Sequence, residues 1–389
     1  MSVTAASGFS AGSVSAGLKA SGGLDLTVVI NEGPEFSGAA VFTSNRSKAN
    51  PILWSEEAIK SGTVKAIVLN SGGANCFTGP EGFQLTHATA EKAASLMEAS
   101  AGHIQVCSTG LIGEPLPAGA IIQGLELAVA RKDNSDDAGE ESARAIMTTD
   151  SRPKLARQIF SSASGDFTIG GMAKGAGMLA PGLATMLVVL TTDASVQAAD
   201  LDAALRSATR VTFDRLDSDG CMSTNDQVTV MASGASGVSP SPAEFGAALR
   251  AVCADLALQL MRDAEGASHD ITIDVVGARS EEDAVSVGRA VARNNLFKAA
   301  VFGQDPNWGR VLAAIGTTDA DFDPYLVDVS MNGVRVCHAG RPDRPRNDVD
   351  LSPRETHVLI DLGVGDYHAS IWTNDLTHDY VHENSAYSS

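Results

Sequence analysis

The stretch Gly170-Gly-Met-Ala-Lys174-Gly-Ala-Gly177-Met-Leu-Ala-Pro181-Gly-Leu-Ala184-Thr185-Met-Leu-Val-Val-Leu190 ends in a run of apolar residues, Met186 to Leu190. Unbroken apolar runs of strand length are expected where a sheet is covered on both faces. The glycines ahead of it read as a turn that leads through Pro181-Gly182 into this strand. Thr185 stands at its entrance, where a β-branched residue is at home. A lysine among glycines invites a phosphate-loop reading. That loop needs Ser or Thr directly after the lysine, and Gly175 stands there. No dinucleotide fingerprint fits either.

Outward from this strand the pattern alternates. Residues 26–30, 39–43, 66–69 and 104–107 read as strands before it; 271–276, 325–330, 357–362 and 367–373 read as strands after it. Residues 85–101 and 118–130 read as helices, and the charged segment 131–141 as a loop. Ser241-Pro-Ala-Glu244 is a capping box with proline in the first turn. Behind it Phe245, Leu249, Val252, Leu256 and Leu260 form one helical stripe. Ser280-Glu-Glu-Asp283 caps a further helix carrying Ala284, Val287 and Val291. Interleaved strands and helices predict a layered α/β fold.

The chain has 389 residues and a formal net charge of −19. Its length suggests two or three domains. The acidity argues against nucleic acid or an anionic membrane surface as partner. No apolar run reaches the roughly 18–20 residues of a membrane span, and no signal peptide is visible at the start. Five scattered cysteines without a C-x-x-C fit a reduced cytoplasm. His378 and His382 are spaced i, i+4 but have no third ligand in view, so no metal is expected.

A small residue followed by threonine after a tight turn can cut its own backbone. The hydroxyl attacks the preceding carbonyl, an ester forms, and water releases a new amino terminus. The product is a threonine with a nucleophilic hydroxyl and a free α-amine. That amine has a pKa near ~8 and can serve as a base without histidine. Such chemistry needs an oxyanion hole and little else, and the sequence offers no convincing Ser-His-Asp or Cys-His arrangement to compete with it.

The segment Lys174-Gly-x-Gly-Met-x-x-Pro-x-x-Ala184-Thr185-Met-Leu resembles the self-cleavage motif of the ornithine acetyltransferase (glutamate N-acetyltransferase) family. Further stretches resemble that family in order along the chain. They are Gly8-Phe9 with Gly17-Leu-Lys19, Cys107-Ser-Thr109-Gly110-Leu-Ile-Gly113, and Ile146-Met-Thr148-Thr149-Asp150. Asp263-Ala-Glu265-Gly266, Asp305-Pro-Asn-Trp308-Gly-Arg310 and Glu383-Asn384-Ser-Ala-Tyr387-Ser-Ser389 complete the set. The departures are Gly73, Cys221, Met222, Ala264 and Ser151, none of which removes a group the chemistry requires.

The resemblance implies a layered α/β sandwich of the self-processing aminopeptidase and ornithine acetyltransferase type, with a smaller C-terminal α/β region. It implies cleavage between Ala184 and Thr185, giving an α chain of residues 1–184 and a β chain of residues 185–389 that assemble as an α2β2 heterotetramer. Thr185 would be the nucleophile, and Thr109 with Gly110 the oxyanion hole. Thr148, Lys174, Thr185, Glu265, Asn384 and Ser389 would contact substrate. Lys174 would hold a carboxylate and Glu265 an amine; Thr149 is chemically as good as Thr148, and only the family pattern selects between them. The implied reaction moves acetyl from N2-acetylornithine to glutamate in the cytoplasm, without cofactor or metal. Acetyl-CoA stays open as a second donor. A self-processing amidohydrolase or aminopeptidase of the same fold, and a non-catalytic amino-acid-binding protein, are the alternatives.

Overall fold

The computed structural model describes residues 2–180 and 186–386. The first half runs β1 (Phe9–Val14), β2 (Leu26–Asn31), β3 (Ser37–Phe42), α1 (Asn50–Ala58), β4 (Ala66–Ser71), α2 (Gly79–Leu96) and β5 (Ile104–Thr109). It continues through α3 (Ala118–Ala130), α4 (Asp136–Ala145), β6 (Lys154–Ser162) and β7 (Gly165–Lys174). Then come β8 (Leu187–Thr192), α5 (Ala198–Arg210), β9 (Gln227–Ala232), α6 (Pro242–Arg262), β10 (Asp270–Ala278) and α7 (Glu281–Ala292). The chain ends with α8 (Asn295–Phe302), α9 (Trp308–Ile315), β11 (Asp328–Met331), β12 (Val334–His338), β13 (Arg341–Pro342), β14 (Glu355–Asp361), β15 (Tyr367–Asn374) and α10 (His378–Ala386).

Two sheets pack face to face. One has the order β1-β2-β4-β5 and the other β3-β9-β8-β7-β6. Strand alternation decides what each face meets. Val29 and Leu69 of the first sheet meet Met172, Leu187, Val189 and Met231 of the second in a shared buried layer. Val28 and Ile30 face outward onto Ala90, Ala93 and Leu125 of α2 and α3. Val188 and Leu190 face outward onto Leu201, Leu205, Leu249 and Leu256 of α5 and α6. The apolar run after Thr185 is therefore covered on both faces, in a helix–sheet–sheet–helix sandwich. A third sheet, β13-β12-β11-β14-β10-β15, forms the smaller C-terminal α/β region. Its core joins Val275, Val329 and Ile360 to Val287, Phe297 and Val311 of α7, α8 and α9. Among the described residues no helix is long and apolar enough to cross a membrane.

Several local expectations change. The charged segment read as a loop contains the start of α4. Ser135 accepts the Ala138 amide at 3.3 Å, and Asp136 and Asp137 occupy the first turn, where negative charge is favoured. The helix expected at 85–101 begins earlier, at Gly79, with a proline in its first turn. The strand expected at 325–330 is β11, Asp328–Met331. The capping box forms as read: Ser241 Oγ accepts the Glu244 amide at 3.3 Å, and the Ser241 amide donates to Glu244 at 2.9 Å.

The glycine-rich stretch is not wholly a turn. Gly170 and Gly171 lie inside β7, which continues to Lys174, and the turn begins at Gly175. The glycines are there for closeness. A Cβ on Gly170 would lie 2.2 Å from the Ser2 carbonyl oxygen, and one on Gly171 would lie 2.8 Å from Leu190 Cδ2. Gly170→Ala is expected to lower stability by about 1–3 kcal/mol through overpacking. Gly119→Ala on α3, where nothing lies within 4 Å, is expected to leave it unchanged or raise it. Thermal melts of the two variants beside the parent check this.

Candidate active site

Six of the residues singled out in the sequence line one cavity of about 380 Å3: Thr109, Gly110, Thr148, Lys174, Glu265 and Asn384. They arrive from separate elements. Thr109 ends β5, Thr148 follows α4, Lys174 ends β7, Glu265 follows α6, and Asn384 is on α10. A larger depression, of about 490 Å3, shares Thr149 and Glu265 but lacks Thr109 and Lys174. Thr109 and Lys174 therefore meet Thr148, Glu265 and Asn384 in the smaller cavity. Ala184, Thr185 and Ser389 lie outside the described residues.

Lys174 is the centre of the cluster. It is only 2% exposed, so it is not a solvated surface lysine. Its Nζ donates to Thr148 Oγ1 at 2.9 Å and to Thr109 Oγ1 at 3.2 Å. Each hydroxyl, having accepted from the lysine, keeps its own proton free to donate. This contact sets Thr148 apart from Thr149. Burial pushes the Lys174 amine below its ordinary pKa, and Asp150, 4.0 Å away, opposes that shift.

Asp150 is itself buried and stands behind the lysine. Its carboxylate accepts the Gly175 amide at 2.7 Å and the Thr148 amide at 3.0 Å, and it pairs with buried Lys154. Burial alone would raise its pKa. Lys174 and Lys154, with the hydrogen bonds, outweigh burial and hold the carboxyl below its usual value. Lys154 also pairs with Asp263, the C-cap residue directly after α6.

Asp263 thereby docks the end of α6, and Glu265 follows two residues later. The Glu265 amide donates to the Ala176 carbonyl at 3.1 Å, and its carboxylate accepts from Asn384 Nδ2 at 3.0 Å. A Cβ on Gly177 would lie 2.6 Å from that carboxylate, so any side chain there would have to displace the Glu265 head group. Gly110 is a position where backbone itself requires glycine. Its φ is +128°, and a Cβ there would lie 2.5 Å from the Gly73 amide nitrogen. Gly73 in turn donates to the Thr109 carbonyl at 3.0 Å. Asn225 ties the cavity wall together, its amide donating to the carbonyls of Ala74 at 2.7 Å and Ser108 at 2.9 Å.

Asp150 and Asp263 were visible in the sequence as members of motifs, but without a task. Lys154 and Asn225 carried no signal that chemistry would single out, because their partners come from distant segments. No group of three or more metal-ligating side chains occurs among the described residues.

The profile of the ArgJ family matches residues 10–389. The chain belongs to the ArgJ family. An "arginine biosynthesis bifunctional protein ArgJ" from Streptomyces coelicolor is 60% identical over 389 residues, all of both chains. Its counterpart from Streptomyces avermitilis is 59% identical over the same span. A solved structure of ornithine acetyltransferase complexed with ornithine, from Mycobacterium tuberculosis, is 46% identical. It covers 48% of this chain and 96% of its own, with a TM-score of 0.45. Like its ArgJ relatives, the chain is an enzyme of arginine biosynthesis.

Removing the Asp150 charge leaves two buried lysines short of a partner, which typically costs about 3–5 kcal/mol. Asp150→Asn is therefore expected to unfold at markedly lower urea concentration at pH 7. The Asp150 carboxyl is held low in the folded state. Its contribution is complete above the unfolded carboxyl pKa of about 3.9 and is lost as pH falls through the lower folded value. The difference between parent and variant should shrink as pH drops below about 4, read from urea melts across that range.

Proposed function

We propose that this ArgJ chain is a self-processed acetyltransferase that moves acetyl from N2-acetylornithine to glutamate. The carrying observation is the convergence of two hydroxyls, a buried cation and an anion on one cavity, at Thr109, Thr148, Lys174 and Glu265. Such a cavity suits an amino acid, which presents both a carboxylate and an amine.

In this reading the Thr185 hydroxyl first attacks the Ala184 carbonyl, and hydrolysis of the ester leaves an α chain of 1–184 and a β chain of 185–389. The new α-amine then takes the proton of the Thr185 hydroxyl as that oxygen attacks the acetyl carbon of N2-acetylornithine. The tetrahedral oxyanion is held by Thr109, whose hydroxyl proton Lys174 leaves free, and by the Gly110 amide. Loss of one such donor typically costs ~3–4 kcal/mol in the transition state. Collapse returns the proton to the departing nitrogen, so ornithine leaves and acetyl-Thr185 remains. The amine of glutamate attacks this ester and departs as N-acetylglutamate. Lys174 receives the substrate carboxylate and Glu265 the amine, with Asn384, Thr148 and Ser389 completing the contacts. The reaction takes place in the cytoplasm and calls on no metal or cofactor, and acetyl-CoA is open as a second donor. The two chains remain together as an α2β2 assembly.

Intact mass after brief exposure to acetylornithine tests cleavage and acylation together. The expected result is two chains, the second beginning Thr-Met-Leu-Val-Val and gaining one acetyl group. Thr185→Ala should stay uncut and inactive; normal processing of that variant overturns the reading. Equal consumption of acetylornithine with and without glutamate would instead favour a hydrolase of the same fold.

Lys174→Met and Glu265→Gln each remove a charged contact worth ~1.5–3 kcal/mol, so kcat/KM should fall roughly ten- to a hundredfold. Steady-state kinetics on the cut fraction of each variant measures this. Unchanged values for both substrates would remove the two residues from the site.

A further inference from the structure

Asn225 has no task in the mechanism above, yet it is only 3% exposed and both of its side-chain polar atoms are engaged. Its Nδ2 donates to the Ala74 carbonyl at 2.7 Å and to the Ser108 carbonyl at 2.9 Å, and its Oδ1 accepts from Thr224 Oγ1 at 2.6 Å. Ala74 lies in the turn after β4 and Ser108 in β5, both of the first sheet, whereas Asn225 stands just ahead of β9 of the second. β9 is the parallel neighbour of β8, the strand that follows residue 185 in sequence. The loop that carries Asn225 is fixed as well. The Ala49 amide donates to the Thr224 carbonyl at 3.0 Å, and the Thr43 amide to the Asp226 carbonyl at 3.0 Å.

The two carbonyls that Asn225 holds flank the turn of Thr109 and Gly110. The Gly73 amide donates to the Thr109 carbonyl at 3.0 Å, and the Ala74 amide to the Leu111 carbonyl at 2.8 Å. The Thr109 carbonyl and the Gly110 N–H share one planar trans peptide, so they point in opposite directions. Gly73 thereby sets the direction of the Gly110 N–H, which itself donates to no group among the described residues. Asn225 grips the turn of Gly73 at the next carbonyl, Ala74, and grips β5 one peptide before the Thr109 carbonyl. A second side-chain contact to this turn, from Asn70 Nδ2 to the Gly73 carbonyl, is long at 3.4 Å.

We propose that Asn225 is a positioning residue for the oxyanion hole: its two N–H bonds lock the Ala74 and Ser108 carbonyls together, and so fix the peptide that presents the Gly110 N–H relative to β8 and β9. This rests on the function proposed above. The task calls for a primary amide. It needs two donors on one short side chain and an acceptor on the other side, whereas an ionised aspartate of the same shape would set an acceptor against two carbonyls.

The test compares parent, Asn225→Ala and Asn225→Asp as full chains, with kcat and KM measured on the cut fraction. Each variant should lose about 10- to 100-fold in kcat, with KM for acetylornithine within about twofold of the parent. Val329→Ala, in the core of the third sheet, is the control for general loosening. It should unfold at lower urea concentration yet keep kcat within about twofold. Should a variant not accumulate as folded protein, Asn225→Ser, which keeps one donor, replaces it, with an expected kcat loss of about three- to thirtyfold. The inference is overturned if Asn225→Asp keeps the parent's kcat, since shape alone would then suffice. It is equally overturned if affinity is lost with kcat intact, or if Val329→Ala loses as much kcat as the Asn225 variants. A folded variant that is never cut also counts against it, because a lost positioning contact slows chemistry without abolishing it. A parent that is never cut or never acetylated defeats the proposed function itself, whereas an active parent with indifferent variants defeats this inference alone.

Discussion

The candidate site depends on a carboxylate out of reach of solvent. Asp150 compensates the charges of Lys154 and Lys174 and takes the backbone amides of Thr148 and Gly175. A lysine with so little exposure would otherwise shed its proton or draw in water. With Asp150 behind it opposing the effect of burial, Lys174 stands at the wall of a cavity and orients two hydroxyls at once. The same carboxylate fixes where the chain turns after β7, and so where the segment toward residue 185 begins. Charge balance and backbone geometry are thus set by one side chain.

The remainder of the site is assembled by docking ends of elements onto this network. Lys154 passes the pairing on to Asp263 and so to the end of α6. Thr377 donates to the Gly266 carbonyl at 2.6 Å, and a Cβ on Gly266 would lie 2.2 Å from the Tyr380 amide nitrogen. These contacts seat α10 against the turn after α6, which is how Asn384 reaches Glu265. These groups come from three separate stretches, at Lys154, at Asp263–Gly266 and at Thr377–Asn384, and backbone as well as side-chain contacts hold them together. Rigid placement of this kind lets a site act without rearranging as charge develops.

Much of the fold was legible in the sequence. The double burial of residues 186–190 followed from an unbroken apolar run, and α3 and the capping box of α6 followed from local chemistry. What failed was local reading where tertiary packing decides. Gly170 and Gly171 look like a turn, but they are strand residues thinned to admit Ser2 and Leu190. Segment 131–141 looks like loop because its charges hide a serine cap. In the site, the motif residues could be named, but the network behind them could not. Asp150, Lys154 and Asp263 acquire meaning only when β6, β7 and α6 come together.

The position of the 184/185 junction has a topological consequence. β7 and β8 flank it and are antiparallel neighbours in a single sheet, paired from Lys174–Leu187 to Ile169–Thr192. β3, β6 and β7 precede the junction in sequence, β8 and β9 follow it, and all five interleave in that sheet. A cut at this point therefore divides no domain. It would leave two chains sharing one sheet, whose halves, if parted, would each expose strand edges open to mispairing. The uncut chain finds its partner strands intramolecularly, whereas two separated pieces must meet by diffusion, at a cost that grows with dilution. Under the proposed cleavage, the backbone would act as a template used once and then broken, and the assembly would be held by its barrier to separation more than by its ease of re-forming.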